Sequence, residues 1–281
     1  MSNYSASFGL QWNTFRSTQL DSYTGLSISR DRLTRIAGGT LEIFRGKTIL
    51  EAGCGAGRFT EIMLGAGGHV FAVDLSTAVD ANYLNCSNNP NYFVCQADLT
   101  DLPMAPEQFD IVVCVGVIQH TPNPEATIRI LCSHVQPGGL LLMDHYTYGY
   151  PVTPVRRWVR SFLLGRSEEY SMRFVQYLVR LLWPLHRAAY KRRDTKLGHR
   201  AISFLMRWSP VVDYHYAYAQ LGGQRLYEWA MLDTHDTLTD RYKHFRSADE
   251  IEAALRSFGM ANIQTSYAGN GVEARAWKPK G

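Results

Sequence analysis

Three glycines spaced two residues apart, Gly53, Gly55 and Gly57, follow the apolar run Thr48 to Ala52, whose fourth residue is an acid, Glu51. Such a turn has no Cβ atoms, so a ligand can approach the backbone, and the N–H groups that open the next helix point at it. A second acid, Asp74, closes the next apolar run, His69 to Val73. There a carboxylate can accept both hydroxyls of a ribose. The pairing points to a ligand carrying adenosine. A nicotinamide dinucleotide would call for G-x-G-x-x-G, which admits a pyrophosphate. Here the spacing is G-x-G-x-G with Arg58 next, which suits a smaller anion; Glu51 repels a diphosphate but can pair with an ammonium group.

An amine, a carboxylate and an adenosine together satisfy these features, and S-adenosylmethionine carries all three. Further segments follow: Asp74-Leu75-Ser76, Ala97-Asp98-Leu99, Phe109 to His120, and Gln136-Pro137-Gly138-Gly139 leading into Leu140 to Met143. In this order the stretch from Lys47 to Tyr146 resembles the class I S-adenosylmethionine-dependent methyltransferases. The resemblance implies that Gly53, Gly55 and Gly57 cradle the methionine portion, Asp74 the ribose, and Asp98 with the Leu99 backbone the adenine. Glu51, Leu75 and Val115 complete the expected cofactor set, with Cys54 contributing backbone contacts rather than a nucleophilic thiol.

These residues need elements to hold them. Strands and helices alternate from Thr48 to Tyr146, which predicts an α/β fold with a parallel sheet covered on both faces and ligands beyond the carboxyl ends of its strands. Arg30 to Phe44 reads as one helix leading to the sheet. After a helix over Ser247 to Phe258, the turn Gly269-Asn270-Gly271 joins two strand-like runs, a hairpin that supplies an antiparallel last strand. The expected plan is an N-terminal helical lid (1–46), a Rossmann-like cofactor core (47–148), a helical basic insertion after strand five (149–234), and a C-terminal helix and hairpin (235–281).

Methyl transfer is an in-line displacement, so positioning and water exclusion carry most of it, with a base added for a hydroxyl or ammonium acceptor. Candidate bases are His120 after strand four, His145 after strand five, and His235; each has an alternative use in hydrogen-bonding its own surroundings. Candidate acceptor contacts are Gln11, Trp12 and Arg16, from the dense polar and aromatic stretch Phe8 to Asp21, and Asp233, Asp236 and Tyr242 ahead of the last helix. The N-terminal stretch resembles the leader of a bacterial subgroup acting in sugar and secondary-metabolite pathways, which implies a cap over the cofactor; docking of Trp12 and Phe15 on the core would explain it as well. Where that subgroup commonly has an aromatic pair, this chain has His235 and Leu238.

With 281 residues, 46% of them hydrophobic, the chain can bury one catalytic core plus an insertion. Five scattered cysteines without a C-x-x-C pair argue against disulfides and a metal site, and fit a cytoplasmic setting, as does the lack of a leader-like N-terminus or of ~20 consecutive apolar residues. The net charge of +4 is unevenly spread, since residues 151–210 hold 13 Lys and Arg against three acids. Three readings fit this basic, aromatic stretch: packing on the core with solvated arginines, a cap for an acidic or phosphate-bearing acceptor, or peripheral contact with an anionic membrane. No nucleic-acid-binding motif accompanies the charge. The expected function is methylation of a hydroxyl or amine on a small acceptor such as a sugar, nucleotide-sugar or natural-product intermediate. The alternatives are a lipid-linked acceptor or a non-catalytic cofactor-binding scaffold, and the sequence carries no sign of oligomeric state.

Overall fold

The computed structural model describes residues 5–150 and 152–280, so the start of the expected lid, Pro151 in the expected insertion and Gly281 lie outside the described residues. Two compact units emerge: Met1–Leu26 with Pro151–Arg241, and Ser27–Tyr150 with Tyr242–Gly281. Helices in chain order are α1 (Ala6–Thr14), α2 (Asp21–Thr24), α3 (Ile28–Ile36), α4 (Thr60–Gly65), α5 (Ala78–Cys86), α6 (Pro124–His134), α7 (Pro154–Leu163), α8 (Glu168–Lys191), α9 (Lys196–Trp208), α10 (Gly222–Thr239) and α11 (Ala248–Ser257). The strands are β1 (Thr48–Ala52), β2 (His69–Asp74), β3 (Tyr92–Gln96), β4 (Phe109–Cys114), β5 (Val135–Tyr146), β6 (Ala261–Ala268) and β7 (Gly271–Trp277).

The seven strands of the described residues form one sheet in the order β3-β2-β1-β4-β5-β7-β6, in which β7 runs opposite to the other six. Successive residues face opposite sides of a strand, and a parallel sheet must be apolar on both. Leu50, Val112 and Leu141 accordingly pack on one face with Ile128 and Leu131 of α6 and Ile251 and Leu255 of α11. Ile49, Ile111 and Leu140 pack on the other with Leu33 and Ile36 of α3 and Ile62 and Met63 of α4. Asn123 caps α6 ahead of Pro124, and Ser247 and Glu250 form a capping box on α11. The hairpin is present, and it sets β7 beside β5.

One expectation fails locally. The single helix over Arg30 to Phe44 is instead α3 followed by a short 3-10 turn at Glu42–Phe44. Gly38 and Gly39 take φ of 90° and 103°, a left-handed conformation that ends the helix, and their N–H groups return to the Arg35 and Thr34 carbonyls.

The helical unit joins α1 and α2 to α7–α10, and α10 runs unbroken across residues 234 and 235, where the expected insertion ends. Met172, Val175, Val179 and Trp183 form the buried stripe of α8, and Leu226, Trp229 and Leu232 belong to the interior of α10. A polar knot ties this unit together: Asp213 accepts from His186 at 2.7 Å and His215 at 2.5 Å, and the other nitrogen of His186 lies 2.8 Å from Ser209 Oγ. Burial opposes ionisation of Asp213, but the two histidine hydrogen bonds hold its carboxyl well below the usual carboxylate range. Ser209 and His186 resemble a nucleophile and base in spacing only. Both are buried, and Ser209 Oγ accepts the Val211 N–H.

Candidate active site

The site lies in the sheet unit at the carboxyl ends of β1, β2, β4 and β5, at the point where the strand order reverses. Beyond β1 the glycine turn folds back on β2, with the Gly53 and Cys54 N–H groups both donating to the Val73 carbonyl. Gly53, Gly55 and Gly57 all have positive φ. A Cβ on Gly53 would stand 2.3 Å from Val117 Cγ2, so the turn has room for backbone only.

Asp74 joins the turn to the second strand. Its Oδ2 accepts the Gly55 N–H at 2.9 Å, while Oδ1 accepts from the Ser76 N–H and hydroxyl. Behind the turn Thr60 donates to Glu51 at 2.5 Å, and Asn82 bonds the Gly55 carbonyl and Thr60 while accepting from Tyr92. Burial pushes the Glu51 carboxyl up to about 8, against the Thr60 hydrogen bond and with help from the nearby Asp74 charge. Burial also raises the Cys54 thiol well above its ordinary value, which leaves it unreactive.

Asp98 is half-buried and closes a local turn by accepting the Thr100 N–H and hydroxyl, while Leu99 and Val115 are buried in the two apolar faces. Half-buried Leu75 has its carbonyl bonded by Gln96.

At the end of β5, alternation sends Asp144 and His145 to opposite sides. Asp144 is buried, accepts the Gly116 N–H at 2.6 Å, and forms an ion pair with Arg32 of α3, whose guanidinium also lies over the Phe59 ring. Arg32 was not expected in the site, whereas Asp144 lies at a strand end where the chemistry was expected. Arg32 and Arg35 share the sheet-facing side of α3 with Leu33 and Ile36, and Arg35 pairs with buried Glu273; two arginines on the apolar side of a helix are the signal that could have pointed to buried acids.

His145 is buried, and its Nδ1 lies 2.8 Å from the Tyr146 carbonyl. Burial lowers its pKa to about 4. His120 sits in the loop after β4, with Nδ1 3.1 Å from the Tyr242 carbonyl and its ring edge-on to Tyr146, which stacks on Tyr150 at 4.2 Å. The segment Tyr242 to Arg246 runs alongside, as the His244 N–H donates to Gln119 and the Arg246 N–H to Tyr146. Gln119, His145 and His244 each keep a buried side-chain polar atom with no hydrogen-bond partner among the described residues. Leaving such atoms unpaired is costly. Gln119 falls in the segment before His120 that was expected at the strand ends, but nothing in its type singles it out from an ordinary loop residue.

The remaining expected residues lie in the helical unit. His235 is fully buried, its Nδ1 2.7 Å from Gln11 Oε1, and burial lowers its pKa to about 4. Asp233 accepts from Gln19, Tyr214 and Trp229. Trp12 and Asp236 are half-buried, and Arg16 is exposed. Thus the structure gathers the glycine turn, Asp74, His120, His145 and Tyr242 in one unit, and Gln11, His235 and Asp233 in the other.

A family model described as a methyltransferase domain matches residues 50–143, the stretch from the middle of β1 to near the end of β5. Within this chain, residues 50–143 form a class I S-adenosylmethionine-dependent methyltransferase domain. Among curated relatives, ubiquinone biosynthesis O-methyltransferases are 29% identical over 141 residues in Paraburkholderia phytofirmans, covering 49% of this chain and 54% of the relative, and 32% identical over 108 residues in Hydrogenovibrio crunogenus, covering 37% and 44%. The chain spans about half the length of the curated relatives it matches. An O-methyltransferase family protein from Burkholderia thailandensis shares the fold, with a TM-score of 0.50 at 13% identity over 93% of this chain and 60% of that one. The methyltransferase domain's cofactor is S-adenosylmethionine, and the residues present fit it: the turn admits backbone contact where a Cβ would clash, and acidic side chains stand at Glu51 and Asp74.

Proposed function

We propose that the chain transfers a methyl group from S-adenosylmethionine to a hydroxyl of a small acceptor. The observation that carries this reading is the glycine turn bonded to Asp74 through the Gly55 N–H, at the strand ends where α/β sheets bind ligands. Hydroxyl rather than amine is favoured by the similarity to enzymes named O-methyltransferases.

When bound, the cofactor supplies an electrophilic methyl on a sulfonium. In this reading Gly53, Gly55 and Gly57 hold its methionine portion, a carboxyl oxygen of Glu51 accepts a hydrogen bond from the ammonium, Asp74 and Leu75 hold the ribose, and Asp98, Leu99 and Val115 border the adenine and its surroundings. Gln119 orients the acceptor through its buried amide. His120 takes the hydroxyl proton: the Tyr242 carbonyl can only accept, so the neutral ring carries its proton on Nδ1 and presents Nε2 as acceptor. His145, lowered to about 4, is a poor proton acceptor at neutral pH and serves by shaping the site. His235 serves the helical unit through Gln11.

Calorimetry with S-adenosylmethionine, followed by labelled methyl transfer to an extract of small hydroxyl-bearing metabolites, tests this reading. Asp74→Ala should weaken cofactor binding about 10- to 100-fold, the loss of charge-assisted hydrogen bonds. His120→Gln should leave binding intact and slow transfer about 100-fold or more. Absence of cofactor binding, or binding that Asp74→Ala does not change, overturns it.

A further inference from the structure

Eleven of the eighteen exposed large hydrophobic side chains among the described residues fall between Trp158 and Trp208, in α7, α8 and α9. They are ordered along the helices. On α8, Tyr170, Phe174, Tyr177, Leu181 and Leu185 recur at helical spacing and form an apolar stripe on the side away from buried Met172, Val175, Val179 and Trp183. The helix therefore has two apolar faces, one packed and one open, with Tyr177 66% exposed. Phe162 of α7 joins the open stripe by packing on Tyr170 and Phe174, and Arg166 covers the Phe162 and Tyr170 rings. One turn earlier, Trp158 is 73% exposed. On α9, Leu197, Phe204 and Trp208 repeat the pattern at i, i+7 and i+11, with Leu197 70% and Phe204 63% exposed.

Charge accompanies each stripe. Arg173, Arg180 and Arg187, spaced by seven, run beside the α8 stripe and are all exposed. Among the described residues none of the three has an ion-pair partner. Lys196, Arg200 and Arg207 flank the α9 stripe, and α9 contains no acid. The arrangement of aromatic and aliphatic groups between rows of basic side chains matches a helix lying in a lipid interface, with apolar side chains among the acyl chains and arginines at the headgroups. A second copy of this chain fits poorly, because face-to-face pairing would set arginine rows against arginine rows. No helix among the described residues is long and apolar enough to span a bilayer.

We propose that α7, α8 and α9 form a peripheral docking surface for an anionic lipid bilayer. The occupant is the membrane surface itself, recognised by its negative headgroups and by the apolar layer beneath them. The proposal does not depend on the methyl-transfer reading, and its test uses no cofactor.

Flotation of the full chain with vesicles provides the test, comparing phosphatidylcholine alone with phosphatidylcholine containing roughly one third phosphatidylglycerol. The chain should float with the anionic vesicles at about 0.1 M salt and be released at about 1 M, where the screening length drops to about 3 Å. Each basic residue near the surface contributes about fivefold to partitioning, so the combined Arg173→Gln, Arg180→Gln and Arg187→Gln variant should bind about 100-fold more weakly. Trp158→Ala, Phe204→Ala and Trp208→Ala together should abolish flotation while far-ultraviolet circular dichroism stays unchanged. All these positions are exposed, and the dichroism separates lost docking from lost folding. No flotation with anionic vesicles, equal flotation with both vesicle types, or a vesicle-free dimer that the same substitutions dissociate would each overturn the proposal.

Discussion

Replacing Gly53 with alanine separates the two demands on the glycine turn, backbone conformation and space. Gly53 has φ of 79°, where an L side chain costs about 1–2 kcal/mol. The new methyl would stand 2.3 Å from Val117 Cγ2, 2.8 Å from Cγ1 and 3.0 Å from Cβ. Rotating a valine does not clear three such atoms, so overpacking adds about 1–3 kcal/mol. Gly53→Ala should therefore lose about 2–5 kcal/mol, a large share of the about 5–15 kcal/mol that holds a typical domain. Val117→Ala removes both Cγ atoms, and in the Gly53→Ala background it should restore the packing share, leaving the conformational share. Urea unfolding of wild type, both single variants and the double variant reads these contributions as a cycle. Calorimetry on the double variant should still show weakened S-adenosylmethionine binding, because its methyl remains at the cradle. A Gly53→Ala variant within about 0.5 kcal/mol of wild type, or one that Val117→Ala does not relieve, would refute this account.

Other outcomes follow from the buried charges. Glu51, raised to about 8, binds its proton more tightly folded than unfolded, so its contribution is complete at acid pH and is lost as pH rises towards 8; in Glu51→Gln, chemical unfolding across pH 5 to 9 should show a flatter alkaline decline. His145 and His235, both lowered to about 4, favour the fold while neutral, and that stability is present above the ordinary histidine range and is lost as pH falls through 4. His235→Gln should therefore unfold less steeply between about pH 6.5 and 4 than wild type. Arg32→Ala leaves the buried Asp144 carboxylate without its cation and should cost about 3–5 kcal/mol by thermal unfolding, while Arg32→Ala with Asp144→Asn should cost less.

The turn, the acids at the strand ends and the hairpin were legible because each is written in neighbouring residues: glycine spacing, an acid closing an apolar run, a Gly-Asn-Gly turn. What escaped depends on distant partners. Arg32 meets Asp144 across 112 positions and Gln11 meets His235 across 224, and neither pairing leaves a mark in local sequence. The helix read over Arg30 to Phe44 failed for a different reason. Its apolar pattern continues past Ile36, but two adjacent glycines in the left-handed region end the helix whatever the pattern suggests. The histidines show the limit most clearly, since His120, His145 and His235 are alike as residue types and all buried, and they differ in the atom that each Nδ1 faces.

The helical unit is assembled from two stretches that leave the ribosome far apart in time. Gln11 emerges early, whereas His235, which it bonds, is made 224 residues later, roughly 10 to 40 s at ordinary rates of synthesis. Until then Gln11 Oε1 waits without the ring nitrogen it meets, while the sheet residues from Ser27 to Tyr150 are already complete except for their C-terminal strands. A fragment ending before α10 should therefore leave α1 exposed to proteases, and one beginning after Leu26 should leave His235 without Gln11. The order of translation makes the bond to His235 one of the last contacts that the first helix can form.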